Sequence, residues 1–234
     1  MASLLAWVRI PFLLTSGVGV LLSASLYYFQ NEIIYPRNIP VGARTEVPRP
    51  AQFGLVDSEE LTLPTPDGES LSAFLIKPEN KSQARDVTFL MFHGNAGNIG
   101  HRLPIARVLA NDLHCNVMML QYRGYGLSTG VPNEKGLTID SQVGLDYIRQ
   151  RDELKRTKIV IYGQSLGGAV GIGLVARNQD QGDIAALVLE NTFLSIRKMI
   201  PRYARARQQL AKFRKMVQSG TNSHSIVSCR WPKF

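Results

Sequence analysis

The sequence predicts an α/β protein with a doubly wound, mostly parallel sheet that follows a transmembrane helix. Three observations support this fold class. Short apolar runs of strand length alternate with helical stretches between residues 57 and 201. Loops rich in glycine and polar residues follow several of these runs, as expected at the carboxyl edge of a parallel sheet. An uncharged apolar segment occupies residues 10–29.

The chain is predicted to have four parts. Its 234 residues accommodate one sizeable α/β domain and a short appendage. We predict a signal anchor over residues 1–34, a linker over 35–56, an α/β domain over 57–201 and a basic tail over 202–234. Four prolines interrupt the linker, which is therefore expected to lack regular structure.

The apolar segment at residues 10–29 is long enough to span a membrane. At ~1.5 Å per residue, its 20 residues cover a hydrocarbon core of ~30 Å, so we predict a single-pass anchor. A small-residue triplet at 23–25 leaves a cleaved signal peptide as one alternative, and a buried core helix is another. We expect an endomembrane such as the endoplasmic reticulum. Arginines after the segment favour a cytosolic domain, but charge does not settle the orientation.

Basic residues are concentrated in the tail. The net charge of +9 comes from 27 basic and 18 acidic residues, and residues 202–234 hold eight basic residues and no acidic one. A charge confined to one segment does not support a nucleic-acid partner. The apolar spacing of the tail is compatible with an amphipathic helix on a membrane or in a partner's groove. A solvated helix is a further alternative, and we favour a sequence that was never selected to fold. The two cysteines, Cys115 and Cys229, have neither metal-ligand nor disulfide-framework spacing, so no metal is expected.

Six strands and three helices are predicted. The strands are expected at residues 61–63, 71–76, 87–92, 117–121, 159–162 and 185–189. The helices are expected at 105–112, at 140–151 and directly after Ser165. The first two strands are expected to form a hairpin around Pro66, Asp67 and Gly68.

The central motif is Gly163-Gln164-Ser165-Leu166-Gly167, a G-x-S-x-G match between an apolar strand and a small-residue helix. A turn that leads directly from strand to helix leaves little room for flanking side chains, which explains the glycines. The serine hydroxyl is then exposed on a sharp corner. The Leu166 N–H, at the start of the helix, can face a developing oxyanion. The alternative is a purely structural turn with a capping serine and packing glycines.

Four motifs, in this order, resemble the α/β-hydrolase superfamily. They are HGNAGN at 93–98, QYRGYGLSTG at 121–130, IYGQSLGGAV at 161–170 and LENTFLSI at 189–196. More narrowly, they are similar to the membrane-anchored branch of bud emergence protein 46 and alpha/beta hydrolase domain-containing protein 13. The resemblance implies a serine hydrolase without a cofactor that cleaves ester or thioester bonds of a small-molecule or lipid acyl substrate. It implies Ser165 as nucleophile and the N–H groups of Leu166 and Asn95 as the oxyanion hole.

The rest of a catalytic triad is not evident. The family order places an acid and then a histidine after the serine. The acids after Ser165 are Asp180, Asp183 and Glu190, and His224 is the only histidine there. We expect an incomplete α/β-hydrolase fold in which the later strands are missing, which leaves an apolar sheet edge exposed and the chain prone to aggregation. The chain is then a weak or inactive hydrolase, and the alternative is a membrane-anchored binding module or pseudoenzyme.

Each candidate base or acid has a simpler structural interpretation. Glu190 ends a strand at the correct edge, but a role in holding the neighbouring loop is favoured. His224 is interpreted as a solvated tail residue. His93 is expected to anchor the oxyanion loop by hydrogen bonds rather than to accept the serine proton. His101 and His114 lie on or after the first helix and are no better candidates for the base.

Overall fold

This computed structural model of the protein describes residues 2–192 and 225–228. The chain divides into two compact units, Met1–Pro36 and Arg37–Phe234. The first unit contains the predicted anchor, and the second contains most of the predicted linker and the α/β domain.

The first unit consists mainly of one long helix, α1 (Ala2–Ile34). Its segment Pro11–Ile34 is long and apolar enough to cross a membrane, and its most apolar stretch is not buried. Large apolar side chains such as Phe12, Leu14 and Leu21 are more than half exposed. By length and composition, the helix therefore meets the requirement for a membrane span.

The second unit contains a seven-stranded sheet. Its strands are β1 (Ser58–Pro64), β2 (Ser70–Ile76), β3 (Val87–Phe92), β4 (Asn116–Leu120), β5 (Lys158–Gln164), β6 (Ile184–Glu190) and β7 (Ser225–Ser228). The spatial order is β1-β2-β4-β3-β5-β6-β7. The pairs β1–β2 and β2–β4 are antiparallel, and all other pairs are parallel. The predicted α/β class with a mostly parallel sheet is confirmed.

The predicted hairpin between β1 and β2 is confirmed. The Thr65 N–H donates to the Glu69 carbonyl oxygen at 2.8 Å, and the Thr65 hydroxyl donates to Asp67 Oδ1 at 2.6 Å. Gly68 has φ of 91°, a left-handed conformation in which glycine is favoured. Local turn chemistry was therefore sufficient to locate this connection.

Three α-helices accompany the sheet in the described residues. They are α2 (Leu103–Arg107), α3 (Glu134–Gln150) and α4 (Leu166–Asn178). The helix predicted at 105–112 begins two residues earlier and continues as a π-helical turn, Val108–Asp112. The helix predicted at 140–151 begins six residues earlier, because the Asn133 side chain accepts a hydrogen bond from the Gly136 N–H at 2.8 Å and caps the first turn.

Helices cover both faces of the central strands. On one face, Gly144 of α3 approaches Leu90 and Leu120, and Gly171 of α4 approaches Ile161. On the other face, the segment that contains α2 joins a buried apolar cluster with Met91 and other strand residues. This double coverage explains why β3 and β5 are apolar without alternation.

The outer edge of β6 is paired, contrary to the expectation of an exposed apolar edge. Ala186–Leu189 of β6 aligns in parallel with β7. The pair Ile226-Val227, which the sequence analysis did not assign to a strand, lies in β7. Two β-branched residues are too few to show the alternation that identifies a strand in a sequence. This strand could be predicted only from the need of β6 for a partner along its outer edge. The amphipathic helix considered for the tail lies outside the described residues, and the boundary of the tail stays a prediction.

The predicted linker has little regular structure, but some of its residues are buried. Its one regular element is a short 3₁₀ helix, Pro50–Phe53. Ala43 and Leu55 are each 1% exposed. Leu55 belongs to the same apolar cluster as Met91. The segment from Arg37 onward is therefore an integral part of the second unit.

Candidate active site

Ser165 occupies a strained turn between β5 and α4. Its φ of 51° and ψ of −113° lie in a region that costs a non-glycine residue on the order of 1–3 kcal/mol. Three hydrogen bonds hold this conformation. The Ser165 N–H donates to the Glu190 carbonyl oxygen at 2.8 Å, and the Ser165 carbonyl oxygen accepts from the Gly168 N–H at 3.0 Å and the Thr192 hydroxyl at 2.6 Å. The predicted serine corner is confirmed.

The glycines around Ser165 are required by close backbone approach. A Cβ atom at Gly163 would lie 2.5 Å from the Gly167 carbonyl oxygen, and one at Gly167 would lie 2.1 Å from the Phe92 carbonyl oxygen. A Cβ atom at Gly168 would lie 1.9 Å from the Thr192 hydroxyl oxygen. These distances are too short for any side chain. The spacing of the motif thus packs α4 directly against the ends of β3 and β6.

The predicted oxyanion loop, residues 93–98, leaves β3 beside the serine turn. Strands β3 and β5 are parallel neighbours, and Phe92 is paired with Gly163. A Cβ atom at Gly94 would lie 3.7 Å from the Gln164 carbonyl oxygen, so the residues that precede Asn95 and Ser165 lie close together. Three predicted site residues, Ser165, Leu166 and Asn95, therefore belong to neighbouring segments at the carboxyl edge of the sheet.

Tyr125 supports Asn95, a role that the sequence analysis did not predict. Its hydroxyl donates to the Asn95 carbonyl oxygen at 3.1 Å or to Asn95 Oδ1 at 2.7 Å. The Tyr125 ring is fully buried and packs edge-on against His93 and Tyr122. A rigid, buried phenol thus fixes the main chain of the proposed oxyanion residue.

His93 anchors the loop, as predicted. Its Nδ1 lies 2.7 Å from the Gly94 carbonyl oxygen, which can only accept, so Nδ1 carries the proton. Its Nε2 then accepts from Gln121 Nε2 at 2.7 Å. Burial and the nearby Arg102 guanidinium lower the pKa of His93 to about 3. A neutral imidazole with both nitrogens occupied has no lone pair for the serine proton.

None of the other three histidines is seen to act as the base for Ser165. His101 Nδ1 accepts from the Asn98 N–H at 3.2 Å, and burial followed by the Arg102 charge lowers the pKa of His101. His114 lies before β4, at a φ of 55°. His224 lies outside the described residues. Among residues 11–192, no side chain is hydrogen-bonded to the Ser165 hydroxyl.

Glu190 takes part in a polar cluster behind the serine turn. Its Oε2 accepts from the Tyr162 hydroxyl and from Gln164 Nε2, the latter at 3.2 Å. Gln164 Oε1 in turn accepts from Arg102 Nε at 3.2 Å. Together with its main-chain bond to Ser165, this arrangement matches the favoured structural interpretation of Glu190, which is to hold the neighbouring turn.

Comparison with known proteins agrees with this geometry. The family model described as "Serine aminopeptidase, S33" matches residues 83–234. The chain belongs to this α/β-hydrolase family. It is 50% identical over 176 residues to "Protein bem46" of Schizosaccharomyces pombe, a match that covers 75% of this chain and 58% of that protein. It is 40% identical over 178 residues to "Uncharacterized membrane protein YNL320W" of Saccharomyces cerevisiae, covering 76% and 60%.

This α/β hydrolase also matches solved structures. An alpha-beta hydrolase from Vibrio vulnificus aligns with a TM-score of 0.64 and 21% identity, over 87% of this chain and 75% of that one. At this identity the likeness shows the fold alone. The chain spans about three fifths of the length of the two curated relatives, which it covers to 58% and 60%.

Proposed function

We propose that this α/β hydrolase is a membrane-anchored serine acyl hydrolase that cleaves an ester or thioester of a small-molecule or lipid substrate. The strained Ser165 corner beside the oxyanion loop is the observation that carries the proposal. Family membership and the apolar helix α1 support it, and a yeast relative is named a membrane protein.

The proposed reaction proceeds through an acyl-enzyme. Ser165 Oγ attacks the acyl carbonyl carbon and loses its proton to a base, while the carbonyl oxygen becomes an oxyanion. The N–H groups of Leu166 and Asn95 stabilise this charge. The bond to the leaving alcohol or thiol then breaks, the leaving group takes up a proton, and water hydrolyses the acyl-serine.

The described residues contribute the nucleophile and the oxyanion loop to this reaction. Because no imidazole among them is bonded to the Ser165 hydroxyl, we propose that the chain with the present sequence reacts slowly. A serine hydroxyl is a weak nucleophile near neutral pH unless a base removes its proton.

Labelling with a fluorophosphonate probe tests the role of Ser165. We expect slow labelling that Ser165→Ala abolishes and that Ser70→Ala, a serine of β2 outside the site, leaves unchanged. Heat-denatured protein controls for non-specific reaction. Fast labelling that depends on Ser165 would show that a base is present. Labelling that survives Ser165→Ala would refute the assignment of the nucleophile.

A non-catalytic binding module is the second candidate function. It is favoured by the same observation, the lack of a base bonded to Ser165 in the described part of the chain. The two candidate functions can be distinguished by fusing to this chain the carboxyl-terminal segment of an active relative, which brings an acid and a histidine. Gain of p-nitrophenyl ester turnover that Ser165→Ala removes supports the hydrolase, and continued inactivity of the folded fusion supports the binding module.

A further inference from the structure

Asn98, the last residue of the oxyanion loop, connects that loop to the segment after the apolar helix. Its side chain is fully buried. Its Nδ2 donates to the carbonyl oxygens of Ala43 and Glu46, both at 3.0 Å, and its Oδ1 accepts from the His101 N–H at 3.3 Å. All three partners are main-chain groups. The loop is therefore tied to a main-chain turn more than fifty residues earlier in the sequence.

A third hydrogen bond joins the same two segments. The Gly97 N–H donates to the Ile39 carbonyl oxygen at 2.7 Å. Gly97 has φ of 76°, and a Cβ atom there would lie 2.6 Å from His101 Nδ1. Arg44 of the early segment also donates a hydrogen bond to the Gly124 carbonyl oxygen, next to Tyr125. Residues 39–46 thus contact both the oxyanion loop and the loop that supports it.

We propose that residues 39–46 position the oxyanion loop, and that Asn98 is the positioning residue through which they act. This inference rests on the proposed function, because it assigns a purpose to the loop of Asn95. An oxyanion donor is effective only when it is held about 2.7–3.1 Å from the developing charge. Glycine-rich loops are mobile unless their backbone groups are satisfied, and the Asn98 amide and the Gly97 N–H supply that constraint.

Asn98→Asp tests the inference from the loop side. A carboxylate keeps the acceptor for the His101 N–H but loses both donors and faces two carbonyl oxygens. We expect a roughly tenfold slower fluorophosphonate labelling of Ser165 per folded molecule. Asn178→Asp is the matched control, because Asn178 is also buried and donates through Nδ2 to the Leu174 carbonyl oxygen and to Gln142. Arg149 Nη1 already donates to Asn178 Oδ1 at 2.8 Å and would pair with the new carboxylate. This variant therefore loses the same amide donors without slowing the labelling.

Gly42→Ala tests the inference from the segment side without touching the loop. Gly42 has φ of 83° in the turn that presents the Ala43 and Glu46 carbonyl oxygens. Gly54→Ala is its control, since Gly54 has φ of 74° and open space around it. Both substitutions impose a similar backbone strain. We expect only Gly42→Ala to slow the labelling.

Amide hydrogen exchange of the full chain provides a readout that does not depend on activity. We expect faster exchange of a peptide that covers residues 94–98 in Asn98→Asp and Gly42→Ala, and wild-type exchange there in Asn178→Asp and Gly54→Ala. Unchanged exchange in both test variants would overturn the positioning role. A wild-type chain without labelling at Ser165 would instead overturn the proposed function. Changed exchange with wild-type labelling would show that the contact is merely structural.

Discussion

At Ser165, the backbone adopts a conformation that the local sequence alone does not favour. The hydrogen bonds from the Ser165 N–H to the Glu190 carbonyl oxygen and from the Thr192 hydroxyl to the Ser165 carbonyl oxygen offset this strain. Such strain persists where the surrounding structure determines it, and it is common at active sites. The conformation of the turn therefore depends on the residues at and after the end of β6 as much as on the glycines that flank the serine.

Tyr125→Phe is predicted to slow the reaction of Ser165. The variant keeps the buried ring but removes the hydroxyl that bonds to Asn95. Losing this part-buried hydrogen bond costs about 0.5–1.5 kcal/mol, and Asn95 is then held less firmly. We expect fluorophosphonate labelling to slow roughly fivefold, since about 1 kcal/mol corresponds to that factor. Tyr147→Phe, in α3 and outside the site, serves as control, and equal rates for the two variants would contradict the prediction.

Among the elements, Arg123 joins the β1–β2 hairpin to α3. Its Nη1 and Nη2 donate to the Asp67 carboxylate at 2.7 and 3.0 Å. Its N–H, Nε and Nη2 donate to Asp140, whose side chain is fully buried. Burial raises the pKa of Asp140, and the hydrogen bonds from Arg123 oppose that shift. The cost of burying this carboxylate is thus offset only while Arg123 is present.

Asp140→Ala is predicted to be strongly destabilising. It leaves the buried guanidinium of Arg123 without its interior partner, a change that typically costs about 3–5 kcal/mol. The free energy of unfolding in urea measures the loss. Asp146→Ala, on the same helix, removes an ion pair in which Asp146 Oδ1 lies 3.6 Å from Arg149 Nη1. The Arg149 and Asp146 side chains are 24% and 45% exposed, so the loss should cost about 1 kcal/mol or less.

A paired substitution completes this test. Replacing Arg123 and Asp140 together by Met and Leu removes both charges, so the double variant should be more stable than Asp140→Ala. Equal losses for Asp140→Ala and Asp146→Ala would contradict the account of this ion pair.

Across the whole molecule, the features that could be predicted from the sequence are those that depend on residues close to one another along the chain. Apolar runs located β3 and β5, and the glycine spacing located the Ser165 turn. The bonds from Tyr125 to Asn95 and from Asn98 to Ala43 join residues 30 and 55 positions apart, so no local pattern could indicate them. Strand β7 was missed for the same reason, because its pairing depends on an edge that lies far away in the sequence.

The apolar helix α1 leads to the last prediction. We propose that the helix anchors the chain, so the full-length protein should remain in the membrane pellet after alkaline carbonate extraction. Val20→Lys and Leu22→Lys together should release it, because a charge near the centre of a span costs about 2.5–3.5 kcal/mol. Val56→Lys adds one lysine at a position of the second unit that is 74% exposed, and should leave the protein in the pellet. Recovery of the wild-type chain in the supernatant, or a mature amino terminus near residue 26, would refute the anchor and favour a cleaved signal peptide.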